Sequence, residues 1–194
     1  REYDLFVLED DAECFLGYYK GRVAGCVAHA SSFSFQSSKH ISCGEGGMIT
    51  TDDEELATRI RRMSSLGYGA VSAGAGKSKI TREVIQDPKY LRHVDVGWNY
   101  RLSELSSAVL LGQVERLEEL VQTRLDSAQA LEAARGGGRW LVSQKVPADY
   151  RHSYGTYVCR LADEVSCTWY EFRKVYLANG GDCFYGEWAL NYLE

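Results

Sequence analysis

The chain has 194 residues, 45% apolar and 25% charged, enough for one sizeable core or two small ones. Its net charge of −5 gives no electrostatic basis for binding nucleic acid or an anionic membrane surface. No apolar run approaches membrane-spanning length and no signal-like segment opens the chain, a balance that fits a cytoplasmic metabolic enzyme.

Leu5-Phe6-Val7-Leu8 is a short apolar run of the kind that forms a buried strand, and it ends directly in Glu9, Asp10, Asp11 and Glu13. Acids at the C-terminal end of a strand lie where open α/β sheets bind ligands. The stretch Ser34-Phe35-Gln36-Ser37-Ser38-Lys39-His40-Ile41-Ser42-Cys43-Gly44-Glu45-Gly46-Gly47 then sets one lysine between a hydroxyl-rich turn and a glycine-rich turn. By composition alone it could be an ordinary surface loop. Its chemistry becomes specific beside the acidic strand end. A lysine that forms a Schiff base needs a crowded, partly desolvated place, where it is partly neutral. Pyridoxal phosphate is an electron sink while its ring nitrogen stays protonated, which a carboxylate such as Asp10 can ensure. Ser34 supplies a hydroxyl of the kind that a phosphate needs.

Further along, Met48–Thr51 reads as a short strand and a helix starts at about Glu54. Thr51 to Glu54 offers a capping box, and Leu56, Ile60 and Met63 mark one face. From Val71 to about Val94 the Gly, Ser, Pro and charged residues predict a long loop. Within it, Gly74-Ala75-Gly76-Lys77-Ser78 imitates the end of a nucleotide-binding P-loop. That motif requires a glycine where Val71 stands and a preceding hydrophobic strand, so ATP binding is not expected.

One helix is predicted from Ser103 to about Ala134, with Leu102, Leu105, Val109, Val114, Leu117, Val121 and Leu125 as its core face. Its entry, Asn99 to Ser103, is placed to attract an anion. Gly136-Gly137-Gly138 breaks the chain before a smaller α+β part with strands at Trp140–Val142 and Tyr154–Leu161 and a helix at about Thr168–Asn179. Tyr150, Tyr154, Tyr157, Trp169, Tyr170, Phe172, Tyr176, Phe184, Tyr185 and Trp188 read as core there, and His152 as a structural histidine or a substrate contact. The six cysteines (Cys14, Cys26, Cys43, Cys159, Cys167, Cys183) have no Cys-x-x-Cys spacing, so reduced thiols are expected and no metal site is.

Three blocks in order carry a family resemblance: Val7-Leu8-Glu9-Asp10-Asp11-Ala12-Glu13 followed by Gly17-Tyr18-Tyr19-Lys20-Gly21-Arg22; Ser34-Phe35 to Lys39 to Gly44-Glu45-Gly46-Gly47; and Gly97-Trp98-Asn99-Tyr100-Arg101-Leu102-Ser103-Glu104-Leu105, running into a helix with Gln113, Leu117 and Arg124. Together they resemble the DegT/DnrJ/EryC1/StrS sugar aminotransferases. The resemblance implies an α/β chain with the type I aminotransferase fold: residues 1–125 as the C-terminal part of the large domain, a mainly parallel sheet with flanking helices, and 126–194 as part of a small C-terminal α+β domain. It also implies an internal fragment of a chain about twice as long.

By the same resemblance Lys39 is the Schiff-base lysine and proton shuttle, Asp10 the partner of the ring nitrogen, and Ser34 a phosphate ligand. Asn99, with Arg101 as a weaker candidate, would reach the phosphate in the neighbouring subunit of a homodimer. Glu13 stands near the cofactor ring where the family usually has Gln or His, a departure shared by some relatives resembling perosamine synthases. His152 lies in a segment near the sugar site. The family's dehydratases carry histidine in place of the lysine, so Lys39 implies transamination. The implied reaction moves an amino group from an amino acid, L-glutamate, through pyridoxal 5'-phosphate to a nucleotide-linked 4-keto-6-deoxy sugar. The alternatives are a cyclitol or a 3-keto sugar as acceptor, or a non-catalytic relative.

Overall fold

The computed structural model describes residues 3–74, 80–182 and 184. Cys183, Tyr185, Trp188 and most of the P-loop-like run lie outside them. The chain forms two compact units: one holds the residues up to Ala128 together with Val146–Thr156, the other Gln129–Lys145 together with the residues from Tyr157 on.

The first unit opens with β1 (Leu8–Asp10), then β2 (Tyr18–Tyr19), β3 (Arg22–Val23), β4 (Ala30–Ser34) and β5 (Gly47–Thr50). β1 and β4 run parallel, with Leu8 opposite Ala30 and Asp10 opposite Ser32. β5 returns antiparallel on the other side of β4, pairing Ser34 with Gly47. The acidic strand end and the start of the lysine turn therefore share one end of the sheet. The apolar run before β1 is not buried as expected: Leu5, Phe6, Val7 and Leu8 are all at least half exposed, and Phe6 stacks on His29. β1 is the outer strand of its sheet among the described residues, paired with β4 on one side alone, so the apolar run leading into it has a strand beside it on that side only.

Helix α1 (Glu54–Ser64) begins where the sequence places it, with a different cap. Asp53 accepts the Leu56 amide at 2.9 Å, while the Thr51 hydroxyl donates to the His29 carbonyl. A carboxylate two residues nearer the helix serves its unpaired N–H groups and its dipole better than Thr51 does. The expected loop from Val71 to Val94 contains α2 (Arg82–Gln86), whose cap, Thr81, accepts the Val84 amide.

The long helix is two helices, α3 (Glu104–Val114) and α4 (Leu117–Arg135). Ser103 caps α3 by accepting the Ser106 amide. The expected core face is wrong for α3: Leu105 is 83% exposed, Val109 and Val114 are exposed, and Leu110 is buried at 6%. α3 is apolar around its circumference, so spacing alone could not tell which stripe faces inward. In α4 the expected Val121 is fully buried. The core joins Phe15, Phe35, Ile41, Leu110 and Val121, with Leu102, Leu117, Leu120 and Leu125 packed around them.

β6 (Leu141–Ser143), β7 (Tyr150–Arg151), β8 (Cys159–Leu161) and α5 (Trp169–Ala178) complete the described elements. β7 joins the first unit by pairing antiparallel with β2. β6 and β8 form an antiparallel pair in the second unit. The strand expected from Tyr154 starts at Cys159 because Tyr154 takes a left-handed backbone (φ 51°), which no strand continues. α5 starts with a full capping box between Thr168 and Glu171. Phe172 packs on Trp140 and Phe184, as aromatic core residues should, whereas Tyr170 and Tyr176 are exposed.

Candidate active site

The lysine turn is built by its own polar side chains. The Ser34 hydroxyl accepts the Gln36 amide at 3.3 Å, the Gln36 side-chain oxygen accepts the Ser38 amide and hydroxyl, and the Lys39 amide donates to the Gln36 carbonyl. On the far side, the Ser42 hydroxyl donates to the Phe35 carbonyl and accepts the Gly44 amide. Gly44 needs its φ of 92°, and a Cβ on Gly47 would come 2.9 Å from the Phe33 carbonyl. Phe35, His40 and Ile41 are buried, which anchors the turn on both sides of Lys39.

The Lys39 side chain is 17% exposed, and its Nζ lies 2.6 Å from Glu13 Oε1. That hydrogen bond from Lys39 is the largest influence on the Glu13 carboxyl and, against partial burial, holds it below its ordinary range. The Thr156 hydroxyl is 3.5 Å from the other Glu13 oxygen. The structure thus brings Glu13 and Lys39 into contact across the sheet edge.

Asp10 and Glu9 alternate across β1. Glu9 turns to one side, where it accepts the amides of Gly25, Val27 and Ala28 and the Ser31 hydroxyl. Burial pushes its carboxyl up, but the bonds from Ala28, Gly25, Val27 and Ser31 leave it below the ordinary value. Asp10 remains exposed, and its carboxylate accepts the amide of Ala12 at 3.2 Å. Asp11 is 5% exposed, with one oxygen unpartnered; burial, then the negative charge of Glu9, pushes its carboxyl up to about 6.

His40 Nε2 is 2.9 Å from the Ser153 carbonyl. Burial lowers the pKa of the ring, so it is neutral near pH 7, with the proton on Nε2 and a bare Nδ1. His152 is half-buried, accepts the Tyr154 amide at Nδ1, and is also held neutral by burial. Asn99 and Arg101 are exposed and bonded to each other at 2.8 Å. Among the described residues, no hydrogen bond ties either of them to Asp10, Ser34 or Lys39.

Sequence reasoning missed Glu9 as an organiser, and it gave Arg124 no task. Arg124 reaches across from α4: Nη2 donates to the carbonyls of Ser38 and Lys39 at 3.0 and 2.9 Å, and Nη1 to that of Gly155 at 2.9 Å. Its acceptors are backbone atoms far off in sequence, so no motif could have revealed it.

The profile of the DegT/DnrJ/EryC1/StrS aminotransferase family matches residues 1–172. The chain belongs to this family. It is 32% identical over 164 residues to the spore coat polysaccharide biosynthesis protein SpsC of Bacillus subtilis, covering 84% of this chain and 40% of that protein. It is also 32% identical over 172 residues to the GDP-perosamine synthase of Caulobacter vibrioides, covering 87% and 41%. The chain thus spans about two fifths of the length of these curated relatives. Among solved structures it resembles the E. coli GDP-4-keto-6-deoxy-D-mannose-3-dehydratase with bound hydrated PLP, with a TM-score of 0.77 at 21% identity, over 91% of this chain and 45% of that one. The fold is that of the type I PLP-dependent aminotransferases, present here in part.

Proposed function

We propose that the protein of which this chain forms part is a pyridoxal-phosphate-dependent aminotransferase that moves an amino group from L-glutamate to a nucleotide-linked keto-sugar, a 4-keto-6-deoxy sugar, in the cytoplasm. The observation that carries the reading is the sheltered Lys39 amine, in contact with Glu13, on the turn that follows β4 at the end of the sheet where the parallel strand β1 also ends. Family membership and the likeness to a GDP-perosamine synthase support it.

The donor set suits the cofactor: an amine able to form a Schiff base, a carboxylate for a ring nitrogen and a hydroxyl for a phosphate stand on adjoining segments. When bound, pyridoxal phosphate would supply the electron sink that makes an amino acid's α-proton removable. Asp10 would hold the proton on the ring nitrogen, which its exposed position permits. Ser34, at the end of β4, would bind phosphate. Glu13 would hold the Lys39 amine in place through their hydrogen bond until the cofactor arrives. With the cofactor bound, Lys39 would take up the donor's α-proton as general base and give it back as general acid. His152 would face the sugar.

Homodimerisation with shared sites belongs to the same reading. Asn99 and Arg101 are bonded to each other and otherwise exposed, and the adjoining α3 shows apolar residues on all sides. Such a helix in a soluble protein calls for cover.

The test is to express the complete polypeptide with pyridoxal phosphate and compare the visible absorbance of wild type and Lys39→Ala. A yellow wild type and a colourless variant are expected. A band that survives the substitution would remove Lys39 from its role.

A further inference from the structure

One side chain ties the backbone of the lysine turn to α4 and to the segment after β7. Arg124 spends three N–H groups on three carbonyls, two of them those of Lys39 itself and of the residue before it. The third, on Gly155, holds the segment that lies against Glu13: a Cβ at Gly155 would come 2.6 Å from the Glu13 carbonyl. The next residue, Thr156, directs its hydroxyl to the Glu13 carboxylate. One guanidinium therefore grips both members of the Lys39–Glu13 pair from behind, Lys39 by its own backbone and Glu13 through the strap resting on it. A lysine at this position could not do the same, because an ammonium lacks the planar fork that serves separated acceptors at fixed angles.

Resting on the reading of Lys39 as the Schiff-base residue, we propose that Arg124 is a positioning residue that sets where the Lys39 amine stands relative to Glu13 and to the cofactor's reacting carbon. Arg124 touches neither the amine nor the carboxylate. It acts by fixing the backbone from which Lys39 extends and the strap that limits Glu13. A misplacement of about 1 Å at a reacting group can cost on the order of 100-fold in rate.

The experiment compares Arg124→Met, Arg124→Lys and wild type in the complete polypeptide, after removal of bound cofactor. Each is titrated with pyridoxamine phosphate, which binds without a covalent bond to lysine, and mixed with pyridoxal phosphate while the visible absorbance is followed. Both variants should bind pyridoxamine phosphate as wild type does. Formation of the lysine-linked absorbance should slow by about 10- to 100-fold in Arg124→Met and by less in Arg124→Lys. In turnover, kcat should fall while KM for the amino donor changes little. Should Arg124→Met fail to fold, Arg124→Lys carries the comparison. Absorbance that forms at the wild-type rate in a variant that merely melts earlier overturns the positioning role. A wild type with no Lys39-dependent absorbance overturns the proposed function instead.

Discussion

Glu13 and Lys39 form a charged pair. A carboxylate 2.6 Å from the amine binds it as an ion pair, which must open before the amine can attack a carbonyl. Glu13→Gln keeps a hydrogen-bond acceptor and removes the charge. Since Glu13 is half exposed, the pair is worth ~1 kcal/mol, and the substitution should speed cofactor capture near neutral pH by about fivefold. Stopped-flow absorbance of the cofactor-free protein measures this, and an unchanged rate would show that the ion pair does not restrain the amine. Asp11 makes a second prediction. Burial raises its carboxyl from 3.8 to about 6, so between those values the folded chain holds a proton that the unfolded chain has lost. Its contribution to stability therefore falls as pH rises through that window and is gone above about 6. Asp11→Asn should raise the melting temperature at about pH 8 and change it little at about pH 4. A gain of equal size at both would rule out ionisation as the cause.

Among elements, the Gly25–Ser31 segment depends on β1 because Glu9 alone accepts three of its amides and a hydroxyl. Glu9→Ala strands those donors and should cost about 3 kcal/mol in chemical denaturation. A loss well under that would mean that water replaces the carboxylate. The capping box of α5 predicts a smaller effect: Thr168→Ala should cost about 1 kcal/mol, read from the same kind of unfolding curve. The caps also show what local chemistry conveys. Glu54, Ser103 and Thr168 were readable as helix starts because the groups that satisfy the first N–H groups lie within three residues. Leu105, Val109 and Val114 were misread as core because α3 has no polar face to orient it.

At the scale of the molecule, the site is assembled from segments that meet through topology. Asp10 and the lysine turn come together because β1 and β4 are parallel neighbours. Arg124 reaches the turn from 86 residues away and links it to Gly155. The exposed Asn99–Arg101 pair makes its prediction at this scale. Asn99→Ala in the complete polypeptide should weaken cofactor retention during gel filtration without lowering the melting temperature, and unchanged retention would count against a site shared between subunits.

The lysine turn, the acidic strand end and the α/β pattern could be read from the order of residues, because a lysine between hydroxyl and glycine turns, carboxylates after an apolar run and helix caps are all local signals. The Glu13–Lys39 contact, the grip of Arg124 and the inward turn of Leu110 could not. Each depends on which distant surfaces pack together, and neither composition nor spacing carries that information when a helix is apolar all round or a side chain binds backbone carbonyls. The tertiary structure decided those points by bringing α4 and the Ser153–Thr156 strap against a turn that, from its own residues, could have been an ordinary loop.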